Sequence, residues 1–328
     1  MDRRAFLKAA ASMPLVATLD LRTAAAQSTW PTHSLTIVVP FAPGGQADIA
    51  ARPVALGLSK LLGQSVVVDN RVGAGGAIGA TAVAKAEPDG HTLLMALSAI
   101  AVLPEAERVS GRKPSYEMSQ LTPIARVLGD PNLLIVSAAS PYKTVQDLID
   151  DAKQRPGQIG YASSGNFGAS HLSMEMFCNA AGIKLLHVPY RGGGPALAAL
   201  LGGQVVASAQ GAGPLKAYSD EGKLRVLATF GAERHAAFPD APTFREAGLD
   251  DVVLYVWAGL FAPKAVPADV VAKLRQAMKT IMSDPETIGI FTKAGSPPAY
   301  LDTPEFTAYV EQDSKRLIAA VQKIGKLD

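Results

Sequence analysis

Three times in this chain an apolar, strand-like run breaks into glycine-rich sequence and restarts as a helix: VVPFAPGGQADIAAR from residue 38, VVVDNRVGAGGAIGA from residue 66 and IGYASSGNFGASHLSME from residue 159. Glycine lets a backbone come close to a ligand. The first N–H groups of the helix that follows have no partner within the helix, so they point at whatever anion sits there. A carboxylate is the natural guest.

Around these junctions, strand-like runs alternate with helical patterns along the whole chain. The candidate strands are 34–41, 64–70, 91–97, 132–138, 159–164, 184–190, 204–210, 224–230 and 252–262. Several are continuously apolar, as strands covered on both faces are. The expected class is therefore α/β, with parallel sheets sandwiched by helices. Punctuation at Leu128-Gly129-Asp130-Pro131 precedes a new series of strand–helix units running to about Phe244, and a second crossing near Asp250 to Pro263 would bring the chain back. This reading gives one discontinuous domain, 27–129 with 250–328, and an inserted domain, 130–249. The C-terminal third is mostly helical, with Pro267 and Pro304 at helix starts, where a missing N–H costs nothing.

The first residues, MDRRAFLKAAASMPLVATLDLRTAAAQ, read as an export signal of the twin-arginine type, with Arg3-Arg4, a short apolar stretch and small residues for cleavage after Ala26. Removing residues 1–26 takes the charge balance from 31 − 29 to 27 − 27, because Arg3, Arg4, Lys8 and Arg22 leave together with Asp2 and Asp20. A neutral chain without clustered Lys and Arg is not built for nucleic acid or an anionic membrane surface. The remaining length suits two ordinary domains. The single cysteine, Cys178, sits in HLSMEMFCNAAG and reads as a small buried hydrophobe, not a nucleophile.

Enzymatic readings fare poorly against the motifs. Gly73 and Gly75 begin a dinucleotide-like G-x-G, but Ile78 stands in the third glycine position and no acidic residue follows at the right place. GYASSGN fails the nucleophile-elbow spacing. An exported hydrolase or lyase using Ser164 or Ser170 with His171 is the alternative kept open. The five histidines show no metal-ligand spacing, and no cofactor or metal is expected. Asp48 and Arg52, four apart on a helix, read as an ordinary surface pair. Arg191, in YRGGG after a strand, is either a carboxylate fork or a solvated edge residue.

Taken in order, PFAPGGQADIAARPVA, VVVDNRVGAGGAIGA, AEPDGHTLLMA, GYASSGNFGASHLSMEMF, HVPYRGGGPALAALLGGQV and PDAPTFREAGL resemble the substrate-binding proteins of tripartite tricarboxylate transporters, also called the Bug family. The resemblance implies a two-domain periplasmic binding protein of the type II, Venus-flytrap kind, monomeric and without covalent chemistry. It implies delivery of a small organic acid to membrane transporter subunits or a sensor protein. It also implies that carboxylates are held by backbone N–H groups, hydroxyls and waters more than by arginine. Carried onto this sequence, the first-domain loop is Phe41, Pro43, Gly44, Gly45, Gln46 and Asp48, with Ser98 as an extra contact. The second-domain loop is Ser163, Ser164, Asn166, Phe167, Gly168, Ala169 and Ser170, with Arg191 and Gln210 nearby. Phe167 stands where glycine is common, Gly168 and Ala169 where hydroxyls are, Val206 where aspartate is, and Gln210 where an acid is. A ring gained and hydroxyls lost point to a less polar or bulkier acid than succinate, such as an aromatic one.

Overall fold

A computed structural model describes residues 30–250 and 252–326; the twin-arginine segment and its cleavage site lie outside the described residues. Among the described residues eleven strands form two sheets. In chain order the first elements are β1 (Leu35–Val39), α1 (Gln46–Leu62), β2 (Val66–Asn70), α2 (Ala77–Ala84), β3 (Thr92–Leu97), α3 (Leu103–Val109) and β4 (Leu121–Pro131). The second series is β5 (Leu133–Ser137), α4 (Val145–Gln154), β6 (Gly160–Ser163), α5 (Ala169–Ala181), β7 (Leu186–Pro189), α6 (Gly193–Leu201), β8 (Ala207–Gln210), α7 (Lys216–Asp220) and β9 (Leu224–Thr229). The last is β10 (Tyr255–Pro263), α8 (Ala268–Ser283), α9 (Pro285–Lys293), β11 (Leu301–Asp302) and α10 (Thr303–Ile324).

The first sheet runs β11-β4-β10-β3-β1-β2 and the second β7-β6-β8-β5-β9. The chain passes directly from β4 to β5 between the sheets and returns between β9 and β10. Neither sheet is all-parallel, which corrects the expectation from apolar patterning. β10 runs antiparallel to β3 and β4, and β5 runs antiparallel to β8 and β9. The strands that receive the chain after each crossing, β5 and β10, are reversed, whereas β4 and β9, from which it leaves, run with the parallel strands. The reversed pair is as deeply buried as the parallel strands, so composition alone does not reveal their direction.

A whole strand, β4, is missing from the sequence reading. Its LTPIARVLGDP carries Pro123, Gly129 and Pro131, which look like punctuation. Both edges are nonetheless taken: β10 pairs along one and β11 along part of the other. Pro123 sits opposite Phe261, where the register shifts, and so its missing N–H falls at an irregularity in the ladder.

In each sheet one strand marks the place where the connections change side. β1 lies between β2 and β3, and β6 between β7 and β8, all parallel to it. At such a switch point the helices leave to opposite sides, and a crevice opens beyond the carboxyl ends of the strands. The turns after β1 and β6 are the glycine-rich ones singled out in the sequence. A large apolar core holds this frame: Trp257, Tyr161, Phe177, Phe261 and Phe306 are fully buried. Trp257 Nε1 donates to buried Asp313 at 2.9 Å. Phe306 lies so close over Gly259 that any side chain there would meet its ring.

Candidate functional site

The turns after β1 and β6 face one another across a cavity between the two sheets. Phe41, Gly45, Gln46 and Ala47 line it from the first, Ser164, Ala169 and Ser170 from the second, and Gly193 from the start of α6. Asn132, Ala209, Gln210, Gly211, Leu97 and Val256 complete the wall. The space left admits the centre of a water-sized sphere over about 20 Å³, room for about one water.

Three helices begin at this cavity: α1, α5 and α6. Each has glycine at its N-cap, Gly45, Gly168 and Gly192 respectively, and none has a side-chain cap. The first internal bonds of these helices are Ile49 N–H to Gly45, Leu172 N–H to Gly168 and Ala196 N–H to Gly192. The amides before them have no helical acceptor. Elsewhere α4, α9 and α10 are capped by Thr144, Asp284 and Asp302 side chains, while α2, α3, α7 and α8 have no side-chain cap; what sets α1, α5 and α6 apart is that their ends converge on one cavity. Around the cavity the helix ends offer bare N–H groups and the positive ends of three helix dipoles. Gln46 adds a fourth donor: its Nε2 is buried and has no hydrogen-bond partner among the described residues.

The turns are shaped before any ligand arrives. Asp48, 4 % exposed, accepts from Gly44 N–H at 3.1 Å, from Arg52 at 2.8 and 2.9 Å and from Asn70 at 3.2 Å. Asn70 also donates to the Phe41 carbonyl at 2.8 Å. Burial pushes the Asp48 carboxyl up, but the Arg52 guanidinium and the Gly44 and Asn70 N–H donors together outweigh it and hold the carboxyl below its usual range. Asp48 is therefore the clasp of the PGG turn, neither the ordinary surface pair nor the ligand contact expected from sequence.

On the other side, Ser170 Oγ accepts from Ser164 N–H at 2.7 Å and lies 2.9 Å from Ser164 Oγ. Phe167 N–H donates to His171 Nδ1 at 2.9 Å. Ser163 Oγ lies 2.6 Å from His187 Nε2, and His187 stacks on His171 with centroids 4.0 Å apart. Burial presses His171 down to about 3 and His187 to about 4. His171 thus spends its acceptor nitrogen on the backbone, and its other nitrogen lies 3.9 Å from Glu175. The Ser164/Ser170–His171 pairing that a hydrolase would need is not formed.

Of the other sequence candidates, Pro43 and Gly44 face a separate surface groove near Tyr218. Ser98 is buried behind Leu97, which takes the cavity position instead. Ser163 is fully buried against His187, and Gly168 serves as the α5 cap. Asn166, Phe167 and Arg191 line an outer crevice beside the cavity. Phe167, in the left-handed region at φ 57°, is among the residues lining the outer crevice and not among those lining the inner cavity, so it does not bulk out that pocket as the sequence suggested. Val206 is partly buried and packs against the core.

Sequence reasoning missed Leu97, Asn132, Gly193, Ala209, Gly211 and Val256. Asn132 carried a usable signal: a lone amide opening the apolar run NLLIVSA, here donating to Ser173 Oγ at 3.0 Å. Cys178 is buried, as expected, and burial raises its thiol to about 12.

Among the described residues one group could hold a metal: His33, Asp89 and His91, with ligating atoms within 4.8 Å of one another. His91 Nε2 accepts the Thr32 N–H, so the neutral ring carries its proton on Nδ1, the atom that faces Asp89. The His33 and His91 rings are stacked 3.7 Å apart at 7°, so their in-plane lone pairs run parallel and do not converge. That arrangement does not fit a metal centre.

Two sheets whose switch points open on one shared cavity, with helix N-termini and a few polar side chains set in a largely apolar wall, define a solute-binding protein of the periplasmic type. The chain belongs to the tripartite tricarboxylate transporter family receptor family, whose model matches residues 50–326. A Cupriavidus necator protein described as "UPF0065 protein in gbd 5'region" is 34% identical over 329 residues, 99% of this chain and 98% of that one. The periplasmic binding protein BugD superposes with a TM-score of 0.85 at 31% identity, over 91% of this chain and 100% of BugD. R. palustris Rpa4515, solved with adipate, gives 0.85 at 32% identity with the same coverage. Among the described residues no helix is long and apolar enough to cross a membrane.

Proposed function

We propose that this protein captures a slender organic acid, such as an aliphatic dicarboxylate, in the periplasm and hands it unchanged to a tripartite tricarboxylate-type membrane transporter or to a sensor protein. What carries the reading is the convergence of three uncapped helix N-termini on one buried cavity whose lining contains no lysine or arginine. A carboxylate entering there accepts from the free amides of α1, α5 and α6, from Gln46 Nε2 and from Ser164 or Ser170. An unmade buried bond costs about 1–3 kcal/mol, so satisfying these donors drives capture. The adipate held by Rpa4515 supports this class of ligand. Because the cavity is so small with the turns in contact, the two sheets act as lobes, 27–129 with 250–328 and 130–249, that part to admit the acid and close on it. Export by the twin-arginine route belongs to the same proposal, and Arg3→Lys with Arg4→Lys should abolish it.

The test is calorimetry with adipate. Binding to the wild-type chain is expected, with adipate recovered intact, and Ala169→Phe, which fills the cavity from the α5 side, should remove it. Adipate heat that survives Ala169→Phe would move the site elsewhere. Turnover of the acid would refute the binder reading.

A further inference from the structure

We propose that the outer crevice is a second binding site, for an organic monocarboxylate with an apolar body, gripped between Arg112 and Arg191. The crevice encloses about 290 Å³ and lies where the two halves meet. Arg112 comes from the chain after α3, on the first-sheet side, and Arg191 from the turn between β7 and α6, on the second.

The observation that singles these two out is their lack of partners. Arg52, Arg71, Arg108, Arg155, Arg234, Arg245, Arg275 and Arg316 each lie within ion-pair distance of a carboxylate. Arg126 and Arg225 donate to main-chain carbonyls. Among the described residues, Arg112 and Arg191 alone of the arginines have neither an ion pair nor a side-chain hydrogen bond, and both edge the same hollow. Two free planar forks on one crevice match a carboxylate, which each can bind in bidentate fashion.

The rest of the lining narrows the chemistry. Leu103, Ala106 and Phe167 supply an apolar floor suited to a ring or an alkyl chain. Glu107 is the single acid in the wall, and both its oxygens are engaged by Ser115, at 2.6 Å to the N–H and 2.6 Å to the hydroxyl. Its negative charge penalises a second carboxylate on the guest. Phe167 lines this crevice and not the inner cavity. Because one arginine comes from each half, the site is complete only while the halves are in contact.

The test uses 4-fluorobenzoate, followed by ¹⁹F line broadening and calorimetry on the full chain. Wild-type protein should bind it, and raised ionic strength should weaken binding. Arg112→Gln together with Arg191→Gln should weaken it about tenfold or more, and Arg112→Glu should abolish it. Both arginines are exposed, so these variants keep the fold. Arg112→Gln alone should leave adipate affinity within about twofold of wild type. The proposal is overturned if wild-type protein does not bind 4-fluorobenzoate, if the double variant binds it equally well, or if Ala169→Phe removes binding while the double variant keeps it. A failure of adipate to bind would count against the inner cavity alone and leave this result standing.

Discussion

The N–H of Phe167 is held by Nδ1 of His171 at 2.9 Å, and this bond fixes a non-glycine residue in the left-handed region at φ 57°. That conformation costs roughly 1–2 kcal/mol in an ordinary residue. His171 also meets the Phe167 ring edge-on at 5.8 Å. The histidine therefore shapes the loop that separates the inner cavity from the outer crevice. We expect His171→Phe, which keeps a planar ring against His187 but removes the acceptor, to lower stability by about 1–3 kcal/mol in urea unfolding. A change below about 0.5 kcal/mol would show that the loop holds itself.

The same histidines make stability depend on acid. Burial lowers His171 to about 3 and His187 to about 4, with Tyr161 and Glu175 the other titratable groups against the stack. In the unfolded chain both take up protons near 6.5. Their folded pKa values are depressed, so stability is full above about 6.5 and falls as pH drops toward 4, by about 1.4 kcal/mol per pH unit for each proton withheld. Urea midpoints measured from pH 7 to pH 4.5 should fall, and the fall should be shallower in His171→Phe. Identical slopes in the two proteins would remove His171 from the account.

Asp130 works in the opposite direction. It ends β4 at the first crossing, 7 % exposed, and burial raises its carboxyl to about 6. Its Oδ2 has no hydrogen-bond partner among the described residues, and His235 stands 3.9 Å from Oδ1. A raised acid keeps its proton in the folded state between about 6 and 4, where the unfolded chain has released it. Over that window it offsets one of the two histidine protons, and at pH 7 it is a buried charge. Asp130→Asn should therefore stabilise the protein at pH 7 by up to ~3 kcal/mol and steepen its acid loss. Thermal melts at pH 7 and pH 5 check both signs, and a destabilised variant at pH 7 would show that the carboxylate is better solvated than its burial implies.

How much of this was legible beforehand follows the kind of signal each feature leaves. The switch-point turns were readable because glycine and a following helix are local in sequence, and PGGQAD and SSGNFGAS do meet across the cavity. The role of Asp48 was not, because its partner Asn70 comes from a different strand, and i, i+4 spacing to Arg52 alone suggests a surface pair. Phe167 sits on the loop the sequence points to but lines the outer crevice, and its positive φ is something no residue count reveals. Strand β4 was lost to its prolines. Asn132, between β4 and β5, and Val256, in β10, reach the cavity at the two crossings, and the antiparallel course of β5 and β10 is set by tertiary pairing and leaves no mark in composition.

Contact between the two halves rests on glycine, and that makes closure testable. A Cβ added to Gly194 would come 2.8 Å from the carbonyl oxygen of Pro43, on the opposite side, and one on Gly75 2.8 Å from the carbonyl oxygen of Asn166. Both obstacles are backbone and cannot rotate away. Gly75 has φ 66°, so alanine there would add its own strain, whereas Gly194 sits in the first turn of α6 outside the positive-φ region. Alanine at 194 suits the helix and should leave unfolding stability unchanged or up to ~1 kcal/mol higher. Its methyl nevertheless wedges the halves apart by about the overlap it creates. Gly194→Ala should then weaken adipate binding about tenfold or more and enlarge the radius of gyration in solution scattering with ligand present. Gly289→Ala, in α9 with nothing within 4 Å of the added carbon, is the matched control. If Gly194→Ala bound adipate as the control does, capture would not require the turns after β1 and β7 to meet.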